Sequence, residues 1–183
     1  LKAVCGSRKS WCARHTGLKC LQQIAILVGC SVLPHLNPLV AIVLPRFDDD
    51  HDDIKKFAAL ATAALAEASY PYGGDVLERT LPPIMDGCKR SRGRTLAAYV
   101  KAAGQVLSVV DEEVAARYGW DLLRVVVREF KTSDEEMKKT VLKVMRQCLS
   151  VPVIAKDVNK ENIVERFFEF FWQARNSVDK RLS

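Results

Sequence analysis

Small and apolar residues recur at positions i, i+4, i+7 and i+11 in four segments of the chain. The segments begin at Ala13, Ile54, Gly93 and Met137, and these starts are 41, 39 and 44 residues apart. This spacing places the recurring positions on one face of an α-helix. The pattern therefore predicts four helices, each at the same place in a repeated unit of about forty residues.

The recurring positions carry little side-chain bulk in most of the segments. In chain order they are Gly17, Ala58, Ala97 and Val141, then Cys20, Ala61, Val100 and Val144, then Ile24, Leu65, Gly104 and Cys148. In the second segment, seven of the fifteen residues of Ile54–Ala68 are alanine. Small side chains let helix axes approach toward the near end of the usual range of about 8–10 Å. We therefore expect these helices to pack side by side, with the recurring face, including Cys20 and Cys148, buried.

A second helical stretch follows each of these segments after a turn signal, which is Gly29, Pro71–Gly74, Asp111 or Pro152. The predicted second helices are Leu33–Phe47, Asp75–Cys88, Glu113–Phe130 and Asn159–Asn176. Pairs of helices at this interval are typical of HEAT and armadillo units. The sequence thus predicts an all-α fold, an α-solenoid of about four helical hairpins. The chain, 1–183, would be a single segment with units at approximately 9–47, 51–88, 92–130 and 133–176.

Two helix starts have recognisable capping chemistry. Ser133–Glu136 has the Ser-x-x-Glu pattern of a capping box, followed by the fourth repeated segment. Asp49–Asp53 would place negative charge at the positive end of the helix in the second unit. This acidic run lacks the glycine and the ligand spacing of an EF-hand, so we interpret it as helix-start charge and not as a metal site.

The composition is that of an ordinary globular protein, with 49% apolar and 27% charged residues. The longest aliphatic run, Leu39–Leu44, is far shorter than the roughly 20 residues of a membrane span. The chain begins without Met, so we expect it to be a segment of something longer. Its six cysteines form no CxxC pair, which favours reduced thiols over a metal site or disulfides. We predict no membrane partner.

The net charge of +6 is unevenly distributed, because residues 1–47 contain no Asp or Glu. The second position of each repeated segment is basic: Arg14, Lys55, Arg94 and Lys138. Such a row of cations could contact a phosphate backbone. It could equally pair with acids of neighbouring units, for which Asp75, Asp111 and Asp157 are candidates. The arginine-rich turn at 90–94 could contact RNA or an acidic partner, or it could simply be solvated.

Enzyme chemistry finds little support in the sequence. There is no phosphate-binding glycine loop and no Ser/His/Asp arrangement, and His15 has no nucleophile placed beside it. We predict no catalytic residue, no cofactor and no small-molecule substrate. The tryptophans Trp11, Trp120 and Trp172 lie at unlike positions of the repeat, and we expect them to pack in the core.

Several stretches of the chain resemble the HEAT domain of the splicing factor 3b subunit 1 family. The longest are WCARHTGLKCLQQIAILVGC (Trp11–Cys30), ALAEASYPYG (Ala64–Gly73) and DEEMKKTVLKVMRQC (Asp134–Cys148). The words RHTG and DEEMKK do not belong to the general repeat consensus, which makes the resemblance specific. It extends from end to end of this chain and covers about four of the family's roughly twenty repeats.

The resemblance implies a non-enzymatic scaffold of pre-mRNA splicing in the nucleus. The implied partners are the duplex of pre-mRNA intron and snRNA at the branch site, the other splicing factor 3b subunits and a DEAD-box ATPase. Together with the basic positions, it makes seven residues candidates for RNA binding: Lys19, Lys55, Lys56 and Arg94 first, then Arg14, His15 and Arg92. One position departs from the family, which commonly has Lys where this chain has Asp53. The alternative is a HEAT scaffold of the nuclear-transport or phosphatase type that binds proteins and not RNA.

Overall fold

The computed structural model describes residues 1–157 and 163–179, and within these ranges the chain forms helices and turns without strands. The α-helices are α1 (Lys2–Cys5), α2 (Trp11–Val28), α3 (Leu36–Val43), α4 (Asp52–Ser69), α5 (Gly74–Leu77), α6 (Leu81–Arg90), α7 (Gly93–Leu107), α8 (Glu112–Arg128), α9 (Glu135–Leu149), α10 (Pro152–Asp157) and α11 (Ile163–Asp179). Short 3-10 helices occupy Gly29–His35, Leu44–Arg46, Glu78–Thr80 and Glu129–Lys131.

The four repeated segments lie within α2, α4, α7 and α9, which form one row. Each of these helices contacts the next in chain order, α2 on α4, α4 on α7 and α7 on α9. The second helices α3, α6 and α8 each contact the first helix of the following hairpin, so that successive hairpins interlock. The predicted all-α solenoid of HEAT hairpins is therefore confirmed. The unit boundaries stay a prediction.

The small-residue face is buried where a first helix has neighbours on both sides. Ala61, Val100 and Val144 are all essentially inaccessible to solvent, and so is Cys148. The prediction is wrong for α2, where Cys20 is exposed, and Ile24 at the twelfth position is exposed as well. The physical reason is that α2 stands at one end of the row and has a first-helix neighbour, α4, on one side.

The stretch Trp11–Arg46 is long and apolar enough to cross a membrane by length and composition alone. It is divided between α2 and α3 by the 3-10 segment Gly29–His35, which contains Pro34. The aliphatic residues Leu36, Val40 and Val43 of α3 are buried in the core. The stretch therefore forms the two helices of a solenoid hairpin, α2 and α3, and not one continuous helix.

Local sequence explains where several helices begin, with three departures from expectation. The predicted helix Asp75–Cys88 is divided into α5, the 3-10 turn Glu78–Thr80 and α6. The hydroxyl of Ser10 accepts a hydrogen bond from the Ala13 N–H at the start of α2. At α9 the capping residue is Asp134, which accepts from the Met137 N–H at 2.9 Å, and not the predicted Ser133. The helix α3 begins at Leu36 and not at Leu33, because Pro34 sits in the preceding 3-10 segment. The predicted start of the last second helix, Asn159, lies outside the described residues.

Candidate nucleic-acid interface

Three of the predicted contact residues gather around one aromatic ring, that of Phe57 on α4. The Lys19 Nζ lies 5.2 Å from the ring centroid and the Lys56 Nζ lies 5.4 Å from it. The His15 imidazole meets the ring edge-on, with the centroids 4.5 Å apart. Cations at this distance are attracted to the face of an aromatic ring. The contact between α2 and α4 thus holds two ammonium groups and an imidazole in one place.

Trp11 extends this cluster along α2. Its ring lies 6.3 Å from that of His15 and 5.2 Å from that of His51. Trp11 is 44% exposed and Trp172 on α11 is 61% exposed. The expectation that both pack in the core is therefore wrong, while Trp120 is half-buried. Trp11 lies in the first turn of α2, before the first buried residue of that helix, Gly17. Its position at the helix start could have indicated from the sequence that it is exposed.

A cleft of about 470 Å³ continues the cationic surface from α4 to α7 and α9. Three cations line it, Lys56, Arg94 and Lys101, together with three acids, Glu129, Asp134 and Glu136. Arg94 is exposed, and no hydrogen bond or ion pair joins it to the part of the chain that the structure describes. Lys101 was not among the predicted residues. It lies two helical turns after Arg94, and this spacing could have identified it.

These residues form one surface, which we call the basic strip. It consists of Trp11, His15, Lys19, Lys56, Phe57, Arg94 and Lys101. The strip crosses three first helices, so its cations come from three different hairpins. Four of the seven predicted contact residues belong to it.

Lys55 and Arg92 lie elsewhere, in a separate cleft with five aspartates. The Lys55 Nζ is 3.3 Å from Asp52 Oδ1. Arg92 Nη1 donates hydrogen bonds to the carbonyl oxygens of Lys89 and Ser91, at 3.3 and 2.8 Å. Both side chains line this separate cleft. The structure therefore does not bring them together with the basic strip, although Lys55 is next to Lys56 in the sequence.

Arg14 is held in a buried ion pair with Asp49. Its Nε lies 2.7 Å from Asp49 Oδ2 and its Nη2 donates to Oδ1 at 2.9 Å. A further bond runs from Nη1 to the Ser7 carbonyl oxygen at 2.9 Å. The two side chains are 12% and 4% exposed. Arg14 therefore has a structural role in this ion pair and does not belong to the basic strip.

Two other basic positions of the row pair with acids close in sequence. Lys138 pairs with Glu135 at 3.2 Å, and Lys55 pairs with Asp52. The acids suggested from the sequence do not take part, since neither Asp75 nor Asp111 forms an ion pair within the described residues. The side chain of Asp157 lies outside them. Three of the four basic positions therefore form ion pairs, although Lys55 and Lys138 pair within their own helices and not with a neighbouring unit.

The acidic run divides between two roles. Asp52 and Asp53 stand in the first turn of α4, as predicted. Asp49 is instead buried. Burial alone would raise the pKa of its carboxyl group. The hydrogen bonds from Arg14 and from the His51 N–H, together with the charges of Arg14 and Arg46, outweigh this effect and lower the pKa below its usual value. Asp53 lies 2.6 Å from Lys56, and this hydrogen bond and the Lys56 charge lower the Asp53 pKa. Asp53 therefore partly neutralises the basic strip.

The thiols of the core are poor candidates for nucleophilic chemistry. Burial raises the pKa of Cys88 to about 12, and it raises that of Cys148 to about 12 as well. Both stay protonated at neutral pH, and the thiolate is the reactive form. Among the described residues, no group of three or more His, Cys, Asp or Glu side chains could hold a metal ion.

Two curated proteins match the chain along its whole length, while no family model matches it. The "U2 snRNP component prp10" of Schizosaccharomyces pombe is 42% identical over 181 residues, which are 99% of this chain and 15% of that protein. The "U2 snRNP component HSH155" of Saccharomyces cerevisiae is 40% identical over 183 residues, or 100% of this chain and 19% of that protein. The chain thus spans less than a fifth of the length of these relatives.

Proposed function

Because this chain belongs to the family of splicing factor 3b subunit 1, the large HEAT-repeat subunit of a splicing snRNP, we propose that it acts as a scaffold segment in pre-mRNA splicing. Two relatives that carry the words "U2 snRNP component" in their names support this role. The segment would help to position RNA of the intron branch-site region and proteins of the snRNP. Such a protein works in the nucleus.

The observation that carries the proposal is the basic strip. Lysine and arginine contacts to phosphate position a nucleic acid without reading its sequence. Exposed aromatic rings beside such cations suit single-stranded RNA, whose unstacked bases can lie on them. Trp11 and His15 would contact bases, and Lys19, Lys56 and Arg94 would contact successive phosphates. Sequence recognition would be left to base pairing between intron and snRNA.

Reversing two charges of the basic strip is expected to weaken RNA binding. We expect Lys19→Glu with Arg94→Glu to lower the affinity for a fluorescent single-stranded oligouridine by about tenfold or more. The negative slope of log affinity against log salt concentration should become shallower by about 1.4, because each lost phosphate contact to a single strand accounts for about 0.7. Fluorescence anisotropy at several salt concentrations measures both quantities.

The matched control for this experiment reverses two charges of the second-helix layer. Lys89 on α6 and Arg117 on α8 are exposed, and neither belongs to the basic strip. The control Lys89→Glu with Arg117→Glu changes the net charge equally and should leave the affinity within about twofold. Equal loss in both variants, or no RNA binding by the unchanged chain, would favour a scaffold that binds proteins alone.

Removing the acid that pairs with Lys56 is expected to strengthen RNA binding. The Asp53→Lys change frees the Lys56 ammonium and adds a cation at the edge of the strip, so we expect affinity to rise by about threefold to tenfold. Asp75→Lys on α5 gives the same change of charge at an exposed site outside the strip. The same anisotropy assay compares them. An unchanged affinity for Asp53→Lys would place the RNA away from the start of α4.

The same proposal includes specific RNA and protein partners. The duplex of intron and snRNA, the other splicing factor 3b subunits and a DEAD-box ATPase would meet at the loop ends of the hairpins. The second-helix layer offers the smaller proteins a separate surface. Cross-linking of the assembled snRNP, with photoreactive groups at positions 19 and 89, would tell which surface meets RNA and which meets protein.

A further inference from the structure

A second cleft, of about 740 Å³, lies between the acidic run and the turn that joins α6 to α7. Five aspartates line it against three cations: Asp48, Asp49, Asp50, Asp52 and Asp86 against Lys55, Arg90 and Arg92. Some of these acids are already paired, Asp52 with Lys55 at 3.3 Å and Asp86 with Arg90 at 3.2 Å. Asp48 and Asp50 form no ion pair with any residue that the structure describes. We call this site the acidic cleft.

A tyrosine hydroxyl without a partner lies in the wall of the acidic cleft. Tyr99 on α7 is 2% exposed, and its ring packs against Phe47 with the centroids 6.0 Å apart. Within residues 1–157 and 163–179 its hydroxyl has no hydrogen-bond partner. Because Tyr99 lines the cleft, its hydroxyl can exchange a hydrogen bond with a group that enters there.

Gly87 leaves the space in which the Tyr99 ring lies. A Cβ atom at Gly87 would stand 2.4 Å from Tyr99 Cζ, the carbon that carries the hydroxyl, and 2.2 Å from Cε1. Both residues line the cleft, so the hydroxyl end of the ring lies beside its wall. Burial, then the charges of Cys88, Asp52, Asp48 and Asp86, raise the pKa of Tyr99 to about 12. The phenol is therefore neutral and can accept a hydrogen bond while it stands close to the acids of the cleft.

We propose that the acidic cleft binds an arginine side chain of a basic protein segment, with the guanidinium between Asp48, Asp50 and the Tyr99 hydroxyl. A guanidinium offers five N–H donors and no acceptor, which matches carboxylates and a phenol oxygen together. The five carboxylates of the cleft repel phosphate, so a cationic peptide suits it better than RNA. Because Lys55 and Lys56 line different clefts, the peptide and the RNA of the basic strip would bind side by side.

Neutralising the two unpaired acids tests this site. The probe is a fluorescein-labelled hexa-arginine peptide, titrated with the 183-residue chain near physiological salt. We expect Asp48→Asn with Asp50→Asn to weaken binding by about tenfold. The control Glu112→Gln with Glu113→Gln removes two exposed acids at the start of α8, outside the cleft, and should change binding less than about twofold.

The Tyr99→Phe variant removes only the hydroxyl, so it measures the contribution of this group to peptide binding apart from that of the carboxylates. It keeps the ring against Phe47 and Gly87, and we expect peptide binding to weaken by about threefold. If the phenylalanine variant does not fold, the asparagine variant still tests the site, because Asp48 and Asp50 are exposed. Equal loss of binding in the asparagine and glutamine variants, no binding by the unchanged chain, or weaker oligouridine binding by the asparagine variant would each overturn the proposal.

Discussion

The Arg14→Met variant is expected to lose about 3 kcal/mol of its free energy of unfolding, because the change leaves the Asp49 carboxylate buried without its main partner. Asp49 would keep the N–H of His51 at 3.2 Å and the Arg46 guanidinium at 3.5 Å. Neither replaces the two close contacts that Arg14 makes. The Ser7 carbonyl oxygen would also lose its hydrogen bond from Arg14. Urea unfolding followed by circular dichroism measures the loss.

The same ion pair predicts how stability depends on pH. The pKa of Asp49 is lower in the folded chain than its usual value, so the ionised carboxylate stabilises the fold at neutral pH. This stabilisation is lost as pH falls from the usual range through the lowered pKa of the folded state. Unfolding at pH values between about 7 and about 3 should show a smaller acid-induced loss in Arg14→Met than in the unchanged chain.

Two further variants separate the ion pair from general effects of substitution. Adding Asp49→Asn to Arg14→Met removes the unpaired charge and should recover part of the lost stability. Arg46→Met removes the more distant and more exposed cation, so it should cost less than about 1 kcal/mol. If Arg14→Met costs no more than Arg46→Met, the buried pair of Arg14 and Asp49 does not stabilise the fold.

The first helices could be predicted well from the sequence because their packing requires small residues at a regular helical spacing. A residue such as Ala61 or Val144 must be small wherever two helices approach closely, so a helical period of small residues indicates the contact. The second helices were harder to predict. Their starts depend on prolines and 3-10 turns, and both α3 and α6 follow such a turn. The helical spacing of small residues does not reveal which first helix lies at the end of the row, and there, on α2, Cys20 is exposed.

The site could be predicted as a set of cations but not as a surface. Arg14 and Asp49 are 35 residues apart, and their pairing depends on how the first hairpin closes. Lys55 and Lys56 are neighbours in sequence, but they line different clefts because consecutive helical positions face about 100° apart. The contact of Lys19 with Phe57 requires α2 and α4 to be packed. The pairing of Arg14 with Asp49 and the contact of Lys19 with Phe57 come from tertiary packing, which a single sequence does not display.

Enlarging one alanine of α4 is expected to disturb the whole row. Ala61 is fully buried on a helix that packs against α2 and α7. We expect Ala61→Leu to lower the free energy of unfolding by about 2–3 kcal/mol, because a well-packed contact must shift to admit three more carbon atoms. The control Ala41→Leu, at an exposed position of α3, should change it by less than about 0.5 kcal/mol. Urea unfolding of both variants measures the difference.

The same change should also weaken RNA binding, since the basic strip takes its cations from three first helices. Lys19 is on α2, Lys56 on α4 and Arg94 on α7, and the contacts of α4 with both neighbours set their separations. A larger residue at position 61 would push α4 away from a neighbour without removing any charge. Lower RNA affinity for Ala61→Leu under conditions where the variant is still folded would therefore show that helix spacing, and not net charge alone, holds the phosphate contacts in register. Unchanged affinity in a destabilised but folded variant would instead show that the cations act independently of the spacing that the alanines provide.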